Sequence, residues 1–110
     1  MPIVRIDCAA IKSDETFHSA FAEAIGFPGF YGRNMNAWID CMSYLDEPDS
    51  GMTRVTIKPG DVLTLHLEGV QEFSKCCPDL YAALIECSAF VNWRRTSNGE
   101  NALVALSFQK

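Results

Sequence analysis

The chain has 110 residues, 48% of them hydrophobic and 21% charged, and a net charge of −5. That length favours a single domain over 1–110, and the apolar fraction offsets the entropy of ordering, which excludes a disordered chain. Fourteen Asp and Glu against nine Lys and Arg argue against a nucleic-acid binder with a broad basic face, and the longest uncharged apolar stretch falls far short of the ~20 residues of a membrane span.

Residues 3–8 carry β-branched side chains in a short run, with Val4, Ile6 and Cys8 on one face of a strand. The start, Met1-Pro2-Ile3-Val4-Arg5, lacks a basic region followed by an apolar core, so no signal peptide is expected. Ser13-Asp14-Glu15-Thr16 reads as a helix start, with Ser13 as the cap and Thr16 where a capping box prefers Glu or Gln. Phe17, Phe21, Ala24 and Ile25 form its buried stripe, and Gly26 and Pro28 stop it. A turn follows over Phe27–Asn34, tight through its glycines and stiff through its three aromatics. Trp38, Cys41, Met42 and Leu45 then mark the inward face of a second helix from about 35 to 45, which turns Asn36, Asp40 and Ser43 outward.

Asp46–Gly51 reads as a loop, and residues 53–58 alternate well enough for an edge strand or an extended excursion. Asp61 to Glu68 reads as a strand covered on both faces. One or two helical turns are expected over 70–76, then a helix from Pro78 to about Arg95 with Leu80, Leu84, Cys87 and Val91 buried. Ala102 to Phe108 forms the last strand. Helical crossovers between the strands imply an α/β fold, a three-stranded parallel sheet packed with three or four helices.

The parts of an enzyme are missing. No G-x-S-x-G elbow, phosphate-binding glycine loop or H-E-x-x-H helix is present. His66 reads as a hydrogen-bonded structural residue and His18 as a surface or boundary residue. The five cysteines form no C-x-x-C pair, and vicinal Cys76-Cys77 are poorly placed to ligate one metal together. They are expected to be reduced thiols in a cytoplasmic protein that holds no metal or other cofactor. Asp40 with Asp46 or Glu47 would form a catalytic carboxylate pair only if both flanked one substrate bond. A solvated acidic face is the plainer reading.

A binding surface has better support. Between Asn34 and Thr53 stand four acids (Asp40, Asp46, Glu47, Asp49) and no Lys or Arg, so −4 of the net −5 is local to the second helix and its loop. Beside it lies the Phe30-Tyr31 turn, and aromatics next to concentrated charge are common at interface centres. The competing expectation is that these aromatics fold back onto the core and the acids are merely solvated.

The run Phe30-Tyr31-Gly32-Arg33-Asn34-Met35-Asn36-Ala37-Trp38-Ile39-Asp40-Cys41-Met42 resembles the signature of the barstar family, roughly Y-Y-G-x-N-L-D-A-L-W-D-C-L. The predicted element order also resembles that family's three parallel strands and helices, with 47–60 as an insertion. The resemblance implies an intracellular bacterial inhibitor, an immunity protein or antitoxin, whose second helix and preceding loop plug the cationic cleft of a ribonuclease. Carried over, Asp40 takes the place of a substrate phosphate, Phe30 and Tyr31 match the aromatic pair, and Gly32 and Asn34 match loop contacts. Ser43 and Tyr44 fall on further contact positions.

Other positions depart from the pattern. Asn36 stands where the family has a second acidic contact and Arg33 where it has an acid. Ile39 stands where the family has its tryptophan, Trp38 comes one position earlier on the buried face, and Phe30 lacks the matching phenolic hydroxyl. The acids Asp46, Glu47 and Asp49 are expected to move the negative potential towards the C-terminal end of the helix.

The resemblance thus implies a protein partner, a basic ribonuclease or similar toxin, with no direct nucleic-acid or membrane contact and no obligate oligomer. The alternative is an interaction or regulatory module of the same fold whose partner is no nuclease.

Overall fold

The computed structural model describes residues 2–110. Three strands, β1 (Ile3–Asp7), β2 (Leu63–Glu68) and β3 (Val104–Phe108), form one parallel sheet in the order β1-β2-β3. The helices are α1 (Asp14–Phe21), α2 (Met35–Met42), α3 (Val70–Cys76) and α4 (Pro78–Ser97), as the long crossovers between parallel strands require. The register places Val4, Leu65 and Leu106 in one row and Arg5, His66 and Ser107 in the next, facing the other way.

The strand expected to be covered on both faces is not. Leu63, Leu65 and Leu67 are buried, while Thr64, His66 and Glu68 between them are only partly so. That second face is polar and can meet water. Arg5 approaches Glu68 at 3.7 Å, and His66 bonds to Ser107 at 3.0 Å and Gln109 at 2.9 Å. The structural reading of His66 therefore holds.

α1 starts as its sequence suggests. Thr16 N–H donates to Ser13 Oγ and Ser13 N–H donates to Thr16 Oγ1, a capping box built with threonine. The helix then widens into one π-type turn over Ala22–Gly26, closed by Phe27 N–H to the Ala22 carbonyl. Gly26 ends it at φ +81°, where a Cβ would lie 2.4 Å from Arg54 Cβ.

That close approach explains why 53–58 is not an edge strand. Arg54 and Val55 N–H groups both donate to the Ile25 carbonyl, and Ile57 N–H donates to the Leu45 carbonyl. The segment ties the end of the first helical run to the chain beyond α2, and these bonds replace a ladder. Thr53 and Ile57, within the segment, are buried.

Trp38, Cys41 and Met42 of α2 are buried, followed by Leu45, and Phe21 meets Trp38 edge-on at 5.7 Å. The helix is shorter than the expected 35–45. It ends at Met42, and Leu45 is held inward by tighter turns in which Tyr44 N–H donates to Cys41 O and Glu47 N–H to Tyr44 O. α4 runs two residues past Arg95, burying Leu84, Ser88 and Val91. Its Asn92 side chain accepts from Leu103 and Val104 N–H and donates to Val104 O, which anchors the start of β3.

Candidate partner-binding surface

The surface begins in the loop after the first helix. Tyr31 N–H donates to Pro28 O, tightening the turn, and Arg33 adopts φ +54°, unusual for a residue with a side chain. Two bonds hold that conformation. The Arg33 guanidinium donates to Glu15 O at 2.9 Å and to Ser19 Oγ at 2.6 Å, so its charge is directed at α1.

The two aromatics of the turn part ways. Phe30 is 77% exposed, whereas Tyr31 is buried against Phe27 and shares a 2.6 Å hydrogen bond with His18 Nδ1. His18, expected at the surface or boundary, is buried. Burial, and then the Arg33 guanidinium, push its pKa below the ordinary value, while burial pushes the Tyr31 phenol up. Both are therefore neutral near pH 7, and together they pin the loop to α1.

Asn34 caps α2. Its Oδ1 accepts from Ala37 N–H at 2.8 Å and its Nδ2 donates to Gly32 O at 3.3 Å. A Cβ on Gly32 would lie 3.3 Å from that amide and 3.4 Å from Ala37 Cβ, so the loop backbone is drawn against the helix start.

Asp40 is exposed and has neither a hydrogen bond nor an ion pair among the described residues. It stands between two depressions. One, about 410 Å³, is lined by Asp40 with Ser43, Tyr44, Glu47, Arg94 and Asn98 among others. The other, about 150 Å³, is lined by Asp40 with Phe30, Gly32, Ala37 and Met52 among others. Of the expected contact residues, Phe30, Tyr31, Gly32, Asp40, Ser43 and Tyr44 thus line this surface, Tyr31 from its buried side.

The remainder sit differently. Asn36 is exposed on α2 outside both depressions, and Ile39 is partly buried and packed on the core. Asn34 is engaged as the cap, and Ser43 Oγ donates back to Ile39 O at 2.7 Å.

Asp46 corrects the expected charge map. It forms an ion pair with Arg95, the two side chains only 10% and 16% exposed, and Arg95 also reaches Glu100 at 3.5 Å. Its charge is neutralised locally, which leaves Glu47 and Asp49 as the exposed acids after α2. Arg94 lines the larger depression together with Glu47. Sequence reasoning missed Arg94, Asn98 and Met52 as parts of this surface. Arg94 is visible in sequence only as a base near a helix end, and nothing local brings it to Asp40.

Among the described residues no group of three His, Cys, Asp or Glu is placed to hold a metal ion. Burial pushes Cys8 up to about 12 and Cys41 up to about 11, so both remain protonated thiols and weak nucleophiles.

Fold and surface together define a small α/β domain with a parallel three-stranded sheet, whose capped loop and helix present an unpaired carboxylate to the solvent. The family described as Barstar (barnase inhibitor) matches residues 1–107, and the chain belongs to it. Members of that family are inhibitors that bind a ribonuclease as a protein partner. Comparison with curated proteins gives no match.

Proposed function

We propose that this chain inhibits a cationic ribonuclease, or a similar toxin, by placing the loop and helix of residues 30–44 in its active-site cleft. Asp40 then occupies the position of a substrate phosphate. The observation that carries this reading is Asp40 itself, an exposed carboxylate with no hydrogen-bond or ion-pair partner among the described residues, flanked by two depressions.

Direct contacts come from Phe30, the Gly32 backbone, Asn36, the outer edge of Ile39, Asp40, Ser43 and Tyr44. Tyr31 and Asn34 contribute from behind by holding the loop and capping α2. With Arg33 engaged by α1 and Asn36 neutral, Asp40 and Glu47 supply the anionic character. The partner's cleft therefore needs fewer bases than one built for several acids. Five free thiols suit action in the cytoplasm.

The test is to recover the partner with this protein as bait from its host and to titrate ribonuclease activity with wild type and with Asp40→Ala. Loss of one member of a desolvated charge pair weakens binding by about 30-fold to several-thousand-fold. Undiminished inhibition by a folded Asp40→Ala would refute the plug. Recovery of a partner without nuclease activity would move the function to the interaction-module alternative.

A further inference from the structure

Cys76 and Cys77 stand side by side where α3 ends and α4 begins. Both are free thiols, Cys76 exposed and Cys77 partly so. Their Sγ atoms lie 3.5 Å apart, with the Cys77 S–H donating to Cys76 Sγ. Burial, and then that bond, push the Cys77 thiol above its ordinary pKa, so it keeps its proton near pH 7.

The backbone fixes this arrangement. Cys77 N–H donates to Phe73 O at 2.8 Å, closing α3, and Cys77 O accepts from Tyr81 N–H at 2.9 Å, opening α4. Pro78 restricts the Cys77 backbone from the other side.

A direct sulfur–sulfur bond suits this pair poorly. Adjacent Cα atoms across a trans peptide lie about 3.8 Å apart, short of the roughly 4.4–6.8 Å usual for a disulfide. One soft atom between the sulfurs suits it better. Two bonds of about 2.3 Å, at angles from about 95° to the tetrahedral value, hold two sulfurs about 3.4–3.8 Å apart. A linear two-coordinate ion would need about 4.5 Å. Tetrahedral zinc needs four ligands, and among the described residues no third His, Cys, Asp or Glu joins the pair. What fits is a three-coordinate, pyramidal centre that arrives with one ligand of its own.

We infer that Cys76 and Cys77 form a binding site for a monosubstituted trivalent arsenical, a compound of the type R–As(OH)2. Two As–O bonds break and two As–S bonds form, and the thiol protons leave with the hydroxides as two waters. No electrons are transferred, and neutral thiols suffice. Once exposed Cys76 is bound, the second sulfur is already in reach, which raises its effective concentration far above that of a free thiol. Cys77 caps the start of α4 and Arg94 stands near its end, so the site is separate from the surface around Asp40.

Titrating the reduced native chain with phenylarsine oxide, which hydrates to the dihydroxide, and reading the products by native mass spectrometry tests this. Wild type is expected to gain one phenylarsenic unit that excess mercaptoethanol leaves in place and the dithiol dimercaptopropanol removes. Cys76→Ser and Cys77→Ser each bind about 100-fold or more weakly, because one sulfur is left. Cys87→Ser, at a half-buried position of α4, binds like wild type. Circular dichroism verifies that each variant is folded. A wild type that gains no unit at about 100 µM reagent overturns the inference. So does an adduct that survives mercaptoethanol in either single variant of the pair, since it places the two sulfurs elsewhere.

Discussion

Replacing Arg95 by methionine leaves the Asp46 carboxylate without its partner. Asp46 Oδ1 already has no hydrogen-bond partner among the described residues, and its other oxygen is held by Arg95 alone. Breaking a buried pair from one side costs about 3–5 kcal/mol. The residual exposure of 10% and 16% places this pair at the lower end, about 3 kcal/mol. For a chain of 110 residues the entropy of unfolding is about 0.23 kcal/mol/K, so Tm falls by about 13 °C. The reciprocal change, Asp46→Ala, costs less, about 1.5 kcal/mol, because Arg95 keeps Glu100 at 3.5 Å. The double variant removes both charges and is expected to be no less stable than Arg95→Met. Urea and thermal unfolding at pH 7 give the double-mutant cycle. A cost below about 1 kcal/mol for Arg95→Met, or strictly additive single changes, would show that the pair behaves as a surface contact and refute the reasoning.

Three further outcomes are expected. His18 has its pKa lowered from 6.5 in the folded chain, so the unfolded chain takes up the proton first. Its contribution to stability is complete above about pH 6.5 and is lost as pH falls from there towards the lowered value. Denaturation midpoints between about pH 7.5 and 5.5 should show this loss in wild type and a shallower slope in His18→Gln. Asn34→Ala removes the cap of α2 and should lower stability by about 1 kcal/mol, read from urea unfolding; an unchanged midpoint would mean that the side chain serves only the partner. Alkylation of the native chain followed by mass spectrometry should label exposed Cys76 readily and leave buried Cys8 and Cys41 unmodified; rapid labelling of Cys8 would contradict its raised pKa and burial.

Much of the fold was legible because the signals were local. Ser13 and Thr16 lie within one helical turn and close their capping box without help from elsewhere. The spacing of Trp38, Cys41 and Met42 defines the buried side of α2, and Asp40 follows as outward by geometry alone. The parallel sheet followed from the lengths of the crossovers.

Local signals fell short where a distant partner decided. The alternation of residues 53–58 left an edge strand and an extended excursion both open, and the carbonyls of Ile25 and Leu45 decide for the excursion by capturing their N–H groups. His18 sits one step from an apolar stripe, and only the hydroxyl of Tyr31 makes its burial tolerable.

By itself, the sequence determined the element order, the inward face of α2 and the outward placement of Asp40, because helix periodicity and capping are properties of neighbouring residues. Only the tertiary structure decided which charges are free. Asp46 and Arg95 are 49 positions apart, yet they neutralise each other where α4 crosses the exit of α2, whereas Asp40 forms no ion pair among the described residues. The same packing sends Phe30 outward and Tyr31 inward from adjacent positions. A carboxylate's availability depends on what the whole fold brings within a few ångströms of it, and no local pattern encodes that distance.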